Sequence, residues 1–144
     1  MTHETVTAMW NSVRSRFTRK VNTLTHEDLN RQLGETTVAD LLYHTGEAEY
    51  IFMEWYFNKE MPDFEKPHTT DREALITFLE TSNAHVTDAI QTLPENEWDK
   101  VRESQMGSST PLEAISRLMY HAGIHAGQIT DILNHGHMKN TDRH

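Results

Sequence analysis

Apolar residues recur at every third or fourth position near the start of the chain. This spacing places their side chains on one face of an α-helix, because a helix completes a turn about every 3.6 residues. The series predicts a first amphipathic helix and consists of Val6, Trp10, Val13, Phe17, Val21 and Leu24.

A second helix is predicted after a polar linker that ends at Gly34. Thr37 opens a Thr-x-x-Asp sequence, which is typical of a capping box at a helix N-terminus. Dense apolar positions then continue to Phe57, and the Met61-Pro62 pair ends the helical pattern.

A loop and a third helix follow. Residues 62–69 contain two prolines and are predicted to be irregular. Thr70 and Glu73 form a second capping pair, so the third helix is expected to run from there to about Leu93. Pro94 marks its end, because proline cannot continue a helix.

The fourth helix has the clearest start in the chain. Thr110 is a good N-cap, Pro111 suits the first helical turn, and the Glu113 side chain can reach back to the cap. The helix is expected to run to about Asn134, with Gly136 as its stop.

Together these elements predict an all-α fold. A long irregular connection, residues 94–109, precedes the fourth helix, and no alternating strand pattern or internal repeat interrupts the series. We therefore predict a four-helix bundle in a single domain over residues 1–144, with a flexible tail from about residue 136.

Composition narrows the classes of function. The formal net charge of −9 disfavours binding to nucleic acid. No apolar run is long enough to span a membrane, and the first residues lack a signal-peptide pattern, so we expect a cytoplasmic protein without a membrane partner. The chain has no cysteine, so any metal ion must be held by histidines and carboxylates.

Three of the ten histidines lie within apolar stripes of predicted helices. His121 and His125 are one turn apart on the core-directed face of the fourth helix, and His44 lies in the apolar stripe of the second. A buried imidazole needs partners for its ring nitrogens, and a shared cation would supply one. The sequence thus favours metal ligation by these three side chains, with hydrogen-bonded core histidines as the alternative.

Other polar residues are candidates near this site. Glu47, about one turn after His44, is the carboxylate best placed to face an ion, as a general base or as an acceptor for a ligand histidine. A solvated surface position is the alternative. Gln128 is predicted to line the pocket, and His85 is a candidate fourth ligand for which a surface or interface position is favoured.

A di-iron centre of the ferritin-like type is disfavoured. The Glu-x-x-His spacing that such centres use occurs only at Glu65 and His68, where Pro67 lies between them in a predicted loop. The chain also lacks a His-Glu-x-x-His sequence, a glycine-rich phosphate loop and a Gly-x-Ser-x-Gly elbow.

Two short motifs resemble a known family. Residues 41–44 read Leu-Leu-Tyr-His, and residues 120–129 read Tyr-His-Ala-Gly-Ile-His-Ala-Gly-Gln-Ile. With the helix order and the long connection, they make the chain similar to DinB/YfiT-type proteins over almost its whole length. The His-x3-His-x-Gly-Gln element is the most specific part of this resemblance.

The resemblance implies one divalent metal ion, held by one histidine of the second helix and two of the fourth, which match His44, His121 and His125. It also implies a homodimer. The better understood relatives transfer low-molecular-weight thiols such as bacillithiol or mycothiol to electrophiles, and others are described as metal-dependent hydrolases. The family name refers to DNA-damage induction and implies no binding of DNA.

Three functions follow as hypotheses. A metal-dependent thiol transferase leads, because the family resemblance implies thiol transfer and three histidine ligands leave a coordination position open for a reactant. A hydrolase that uses a metal-bound water is the alternative within the enzyme class. A non-catalytic binding bundle is the third, and a closed site with Glu47 or His85 as fourth ligand would favour it. Zinc or nickel suits imidazole ligands, while manganese and iron are possible with lower affinity.

Overall fold

Four long helices dominate the computed structural model, which describes residues 1–139. They are α1 (Thr2–Asn22), α2 (Val38–Phe57), α3 (Arg72–Thr92) and α4 (Pro111–His135). α1 and α2 each pack against both α3 and α4. The predicted all-α four-helix bundle is confirmed. Within the described residues, no helix combines the length and apolar character needed to cross a bilayer.

Two of the predicted capping boxes set the starts of α2 and α4. The Thr37 hydroxyl accepts a hydrogen bond from the Asp40 backbone N–H at 3.1 Å, and the Asp40 carboxylate accepts one from the Thr37 N–H at 3.2 Å. Thr110 and Glu113 form the same reciprocal pair, with both distances at 3.1 Å. Both helix starts are confirmed.

The start of α3 differs from the prediction. Asp71 is the N-cap, and its carboxylate accepts a hydrogen bond from the Ala74 backbone N–H at 3.0 Å. The predicted capping pair of Thr70 and Glu73 is wrong. Aspartate is at least as good an N-cap as threonine, and Glu73 pairs instead with Arg72 at 2.7 Å.

A small antiparallel sheet, which the sequence analysis did not predict, joins the start of α2 to the end of α4. A short 3₁₀ helix (Glu27–Asn30) leads into β1 (Arg31–Leu33). β1 pairs with β2 (Thr36–Thr37) on one side and with β3 (His137–Met138) on the other. Strands of two or three residues are too short to show an alternating apolar pattern.

The residues that directly follow α4 contact β1. Gly136 is the C-cap, as predicted, and a Cβ there would lie 2.5 Å from the Gln32 carbonyl oxygen and 2.6 Å from that of Ile132. Only glycine fits this approach. Residues 137 and 138 pair with β1, so the chain is held by backbone hydrogen bonds at the place where the flexible tail was predicted to begin. Residues 140–144 lie outside the described part of the chain.

The long connection between α3 and α4 is present over residues 93–110 and includes a 3₁₀ helix at Glu95–Glu97. Trp98 anchors it to the core and is only 3% exposed, with its ring edge-on to Phe57. Arg102 and Ser109 exchange two backbone hydrogen bonds of 2.9 and 3.0 Å. The connection is therefore an ordered wall of the bundle.

A polar cluster lies inside the bundle, between α1, α2 and α3. Arg14 Nε donates to one carboxylate oxygen of Glu49 at 2.6 Å, and Nη2 donates to the other at 3.2 Å. Ser82 Oγ also donates to Glu49 at 2.6 Å, and Nη2 reaches the Leu79 carbonyl at 2.9 Å. Arg14, Glu49 and Ser82 are at most 1% exposed, and we call them the buried ion-pair cluster.

Candidate metal centre

The three histidines that the sequence singles out converge between α2 and α4. The ring centroids of His44 and His121 are 5.0 Å apart, those of His44 and His125 are 5.3 Å apart, and those of His121 and His125 are 4.2 Å apart. One ring nitrogen of each residue lies within 4.8 Å of the others. We call these three side chains the histidine cluster.

The histidine cluster lies at the edge of the bundle. His125 is buried with 8% exposure, His121 is half-buried, and the side chain of His44 is 55% exposed. His125 is thus the innermost member of the cluster, and His44 is the member exposed to solvent.

Burial keeps the two inner histidines neutral. Loss of solvation, together with smaller effects of the neighbouring His125 and His44 rings, lowers the pKa of His121 to about 4. Burial also lowers the pKa of His125, although a hydrogen bond to Gln128 opposes the shift. At neutral pH both rings therefore carry a nitrogen lone pair that is available to a cation.

Gln128 determines which nitrogen of His125 carries that lone pair. Its amide oxygen lies 2.6 Å from His125 Nδ1, and an amide oxygen can only accept, so Nδ1 is the protonated nitrogen. Nε2 is then free of a proton and lies 3.0 Å from Nε2 of His121. The predicted pocket residue thus acts on a histidine of the cluster.

This set of donors fits a divalent cation. Three neutral imidazoles with converging nitrogens suit zinc and nickel, and a hydrogen-bond acceptor behind one ring is the usual support for a ligating histidine. Within residues 1–139, these histidines are the only group of three or more His, Asp or Glu side chains with this convergence.

Glu47 lies beside the histidine cluster without joining it. Its Oε1 is 3.6 Å from His44 Nδ1, which is too long for a hydrogen bond, and its Oε2 accepts from the Tyr43 hydroxyl at 3.3 Å. Burial and the Glu47 charge raise the pKa of Tyr43, so the phenol stays protonated and donates. Both a base role and a role in orienting His44 are compatible with this position.

His85 is not brought to the cluster. Its ring packs on Tyr50 between α2 and α3, with centroids 4.9 Å apart. Burial lowers its pKa, and the charge of Lys59 adds to the effect. Glu65 and His68 likewise stand outside the converging group.

One polar residue on the boundary between α2 and α4 was not among the predicted site residues. Arg117 precedes His121 by four residues on α4 and is half-buried, with its guanidinium against the aromatic rings of Phe52 and Tyr56. Its spacing from His121 was the available signal, because residues four apart share a helix face.

Comparison with known proteins identifies the fold. The sequence profile of the DinB superfamily matches residues 9–129. A DinB-like protein from Bacillus cereus ATCC 10987 has a similar crystal structure, with a TM-score of 0.76 and 17% identity, covering 98% of this chain and 99% of that one. No functionally curated protein matches the sequence significantly.

A second similar structure is that of a mycothiol-dependent maleylpyruvate isomerase, which was also solved as a point mutant. Both forms have a TM-score of 0.67 and 16% identity, and the match covers 90% of this chain. This chain spans 61% of that enzyme's length. At such low identity the likeness establishes the bundle architecture.

Proposed function

The chain belongs to the DinB superfamily, and on this premise we propose that it is a metal-dependent enzyme that transfers a low-molecular-weight thiol to an electrophile. The convergence of His44, His121 and His125 at the bundle surface carries the proposal. A divalent ion held there would supply Lewis acidity, which keeps a thiol as its thiolate at neutral pH. Zinc or nickel is the proposed ion, and manganese and iron would bind more weakly.

The residues around the cluster have distinct proposed roles. A bond forms between the thiol sulfur and an electrophilic carbon of the substrate. In a substitution, the bond from this carbon to the leaving group breaks and the leaving group departs with the electron pair. In an addition, a double bond of the substrate opens and its other atom takes up the proton. Glu47 is the proposed acceptor of the thiol proton, because it is the carboxylate beside the cluster. Gln128 holds His125 with Nε2 unprotonated. The reactants would approach from the side of His44, whose side chain is exposed to solvent.

The two alternative functions make different demands on the metal site. A hydrolase would use the same three histidines to activate water, and a non-catalytic bundle would need a closed site. Neither Glu47 nor His85 completes such a site within the described residues, which supports an open one. The mycothiol-dependent enzyme among the structural neighbours supports thiol chemistry over hydrolysis.

The test begins with metal content. Untagged protein purified without added metal is analysed by elemental mass spectrometry beside the His121→Ala/His125→Ala variant, and about one equivalent per wild-type chain is expected. The metal-loaded protein then receives chlorodinitrobenzene with and without N-acetylcysteine. Consumption that requires both metal and thiol supports the proposal.

The other possible results would support one of the alternative functions or overturn the metal site. Turnover of a chromogenic ester without thiol would favour the hydrolase. Metal binding with neither reaction would favour the non-catalytic bundle. A wild-type protein that bound neither its own metal nor added zinc or nickel would overturn the site itself.

We also propose a homodimer, formed through the outer faces of α1 and α4. Apolar residues surround a groove of about 430 Å³ there, and they include Val6, Met9, Leu112 and Met119. Sedimentation should show a dimer that Leu112→Glu converts to a monomer. The control is Val101→Glu, which places the same charge at an exposed apolar position on the connection. Cytoplasmic location remains a prediction.

A further inference from the structure

Arg117 lies on the same boundary between α2 and α4 as the histidine cluster. Its backbone precedes that of His121 by four residues, which is about 6 Å along the helix axis. Its guanidinium lies farther from the cluster, because it packs on Phe52, which follows His44 by eight residues or about 12 Å along α2. On the facing helix, His44 contacts His121, and Phe52 contacts Arg117, with the guanidinium carbon 4.8 Å from the Phe52 ring centre. The boundary between α2 and α4 therefore leads from the cluster to this guanidinium.

Arg117 differs from the other arginines that are buried or half-buried in residues 1–139. Each of the other four pairs with a carboxylate: Arg14 with Glu49, Arg31 with Asp28, Arg72 with Glu73 and Arg102 with Glu97. Arg117 has no carboxylate partner among the described residues, in a chain with 22 acidic side chains. The absence of a partner is therefore not due to a shortage of acidic residues.

The contacts that Arg117 does make leave part of its guanidinium available. Nη1 donates to Ser109 Oγ at 2.6 Å and to the Tyr56 hydroxyl at 3.3 Å. Nε and Nη2 have no hydrogen-bond partner within the described residues. The rings of Phe52 and Tyr56 hold the guanidinium by cation–π contacts at 4.8 and 5.6 Å.

These features suit an anionic ligand. A half-buried cation without a counter-charge is poorly solvated, and an incoming carboxylate would offset this loss. The planar guanidinium offers two parallel N–H donors to one carboxylate. Because the chain has a net charge of −9, an acidic substrate needs a local positive group to approach it.

We propose that Arg117 recognises the carboxylate of an acidic thiol whose sulfur lies at the histidine cluster. The identity of the reacting end rests on the proposed function, whereas carboxylate binding at Arg117 does not. The competing explanation is purely structural, namely that Arg117 only ties the connection before α4 to the bundle through Ser109.

Calorimetry with two thiols of equal length separates these explanations. ω-Mercaptohexanoate and the uncharged ω-mercaptohexanol are titrated into nickel-loaded wild-type protein, Arg117→Gln and Arg19→Gln. The wild type should bind the acid about tenfold more tightly than the alcohol. Arg117→Gln should lose this preference and bind the alcohol as the wild type does. Arg19→Gln removes the same charge from an exposed position and should keep the preference.

The ratio of the two affinities is the decisive quantity. If Arg117 only holds the connection in place, Arg117→Gln should weaken the binding of both thiols equally and lower the unfolding temperature. The ratio of the two affinities would then be the same as in the wild type. A wild type without preference for the acid, or an Arg117→Gln variant that retained it, would overturn the proposal.

A second measurement tests Arg117 without thiol or metal. Hexanoate and its neutral amide are titrated into isotopically labelled, metal-free protein, and the Nε–H resonance that Arg117→Gln lacks is followed by NMR. A saturable shift with hexanoate alone supports carboxylate binding, and no shift overturns it. A shift with hexanoate, combined with no thiol binding to the metal-loaded protein, would support Arg117 and overturn the proposed thiol chemistry.

Discussion

The bundle holds two polar clusters that each cross between helices, and they are built in opposite ways. In the buried ion-pair cluster, both carboxylate oxygens of Glu49 accept hydrogen bonds from Arg14 or Ser82. In the histidine cluster, Nε2 of His121 and Nε2 of His125 lie 3.0 Å apart, and the neighbouring His44 side chain is exposed to solvent. The first cluster is buried and pairs both oxygens of its carboxylate internally, whereas the second has ring nitrogens that a cation could still bind.

This difference distinguishes polar side chains that stabilise the fold from polar side chains that are available to bind a ligand. A closed buried pair gives its helices one relative arrangement, and removing one partner leaves an uncompensated charge. An open group of neutral imidazoles contributes little to the bundle until a cation satisfies it. Substitutions in the first cluster should therefore change stability, and substitutions in the second should change metal affinity.

The largest expected effect is the loss of metal binding when two members of the histidine cluster are removed. His121→Ala/His125→Ala should show no calorimetric signal with zinc or nickel, because one histidine cannot hold the ion. Far-ultraviolet circular dichroism should remain that of a helical bundle. His26→Ala/His135→Ala, which removes two exposed histidines, should bind metal as the wild type does. Binding that survived in the first variant would contradict the assignment.

Breaking the buried ion pair should affect stability instead. Glu49→Ala is expected to lower the free energy of unfolding by about 3–5 kcal/mol, because it leaves Arg14 charged and unpaired. Urea denaturation measures this change. Metal affinity of the folded variant should be unchanged. Arg14→Leu/Glu49→Leu, which removes both charges, should be less destabilising, and an equal or larger loss would refute the argument.

Acid should destabilise the metal-free protein through His121. Its pKa is about 4 in the folded state, against an ordinary value of 6.5, so the unfolded state binds the proton more readily. The resulting loss of stability is absent above pH 6.5 and grows to about 3 kcal/mol as the pH falls toward 4. Urea titrations across this range measure it. His121→Gln should show a shallower decline, and parallel curves for both proteins would rule out this source.

The hydrogen bond from His125 to Gln128 should affect metal affinity moderately. Gln128→Leu keeps a similar volume but removes the acceptor, and about 10–100-fold weaker binding of zinc is expected. Gln128→Glu keeps an acceptor and should lose less. Competition with a chromophoric chelator gives these constants. Equal affinity in wild type and Gln128→Leu would show that the acceptor does not orient the ring.

Glu47 should have the smallest effect on metal affinity. Its oxygen is 3.6 Å from His44, compared with 2.6 Å between Gln128 and His125, so Glu47→Gln should weaken zinc binding by no more than about threefold. If Glu47 is the base, kcat for thiol transfer should still fall strongly. A large loss of affinity with an unchanged kcat per bound metal would instead assign it to orienting His44.

Local patterns in the sequence determined much of this protein. The helices follow from apolar spacing, and the starts of α2 and α4 follow from capping residues that act within one turn. His121 and His125 could be placed together for the same reason, because one helix fixes their separation. Where two local signals competed, as at Thr70 and Asp71, the prediction chose the wrong cap.

Tertiary structure alone decided the features that join distant parts of the chain. The approach of His44 to the pair on α4, the Arg14–Glu49 contact, the pairing of β1 with β3 and the seat of Arg117 against Phe52 all depend on how the helices pack. Periodicity shows which face of a helix is buried but not which residue of another helix it meets. The sequence was therefore sufficient to identify the three histidines as candidate ligands. Only the packing of α2 against α4 brings them together as an open cluster.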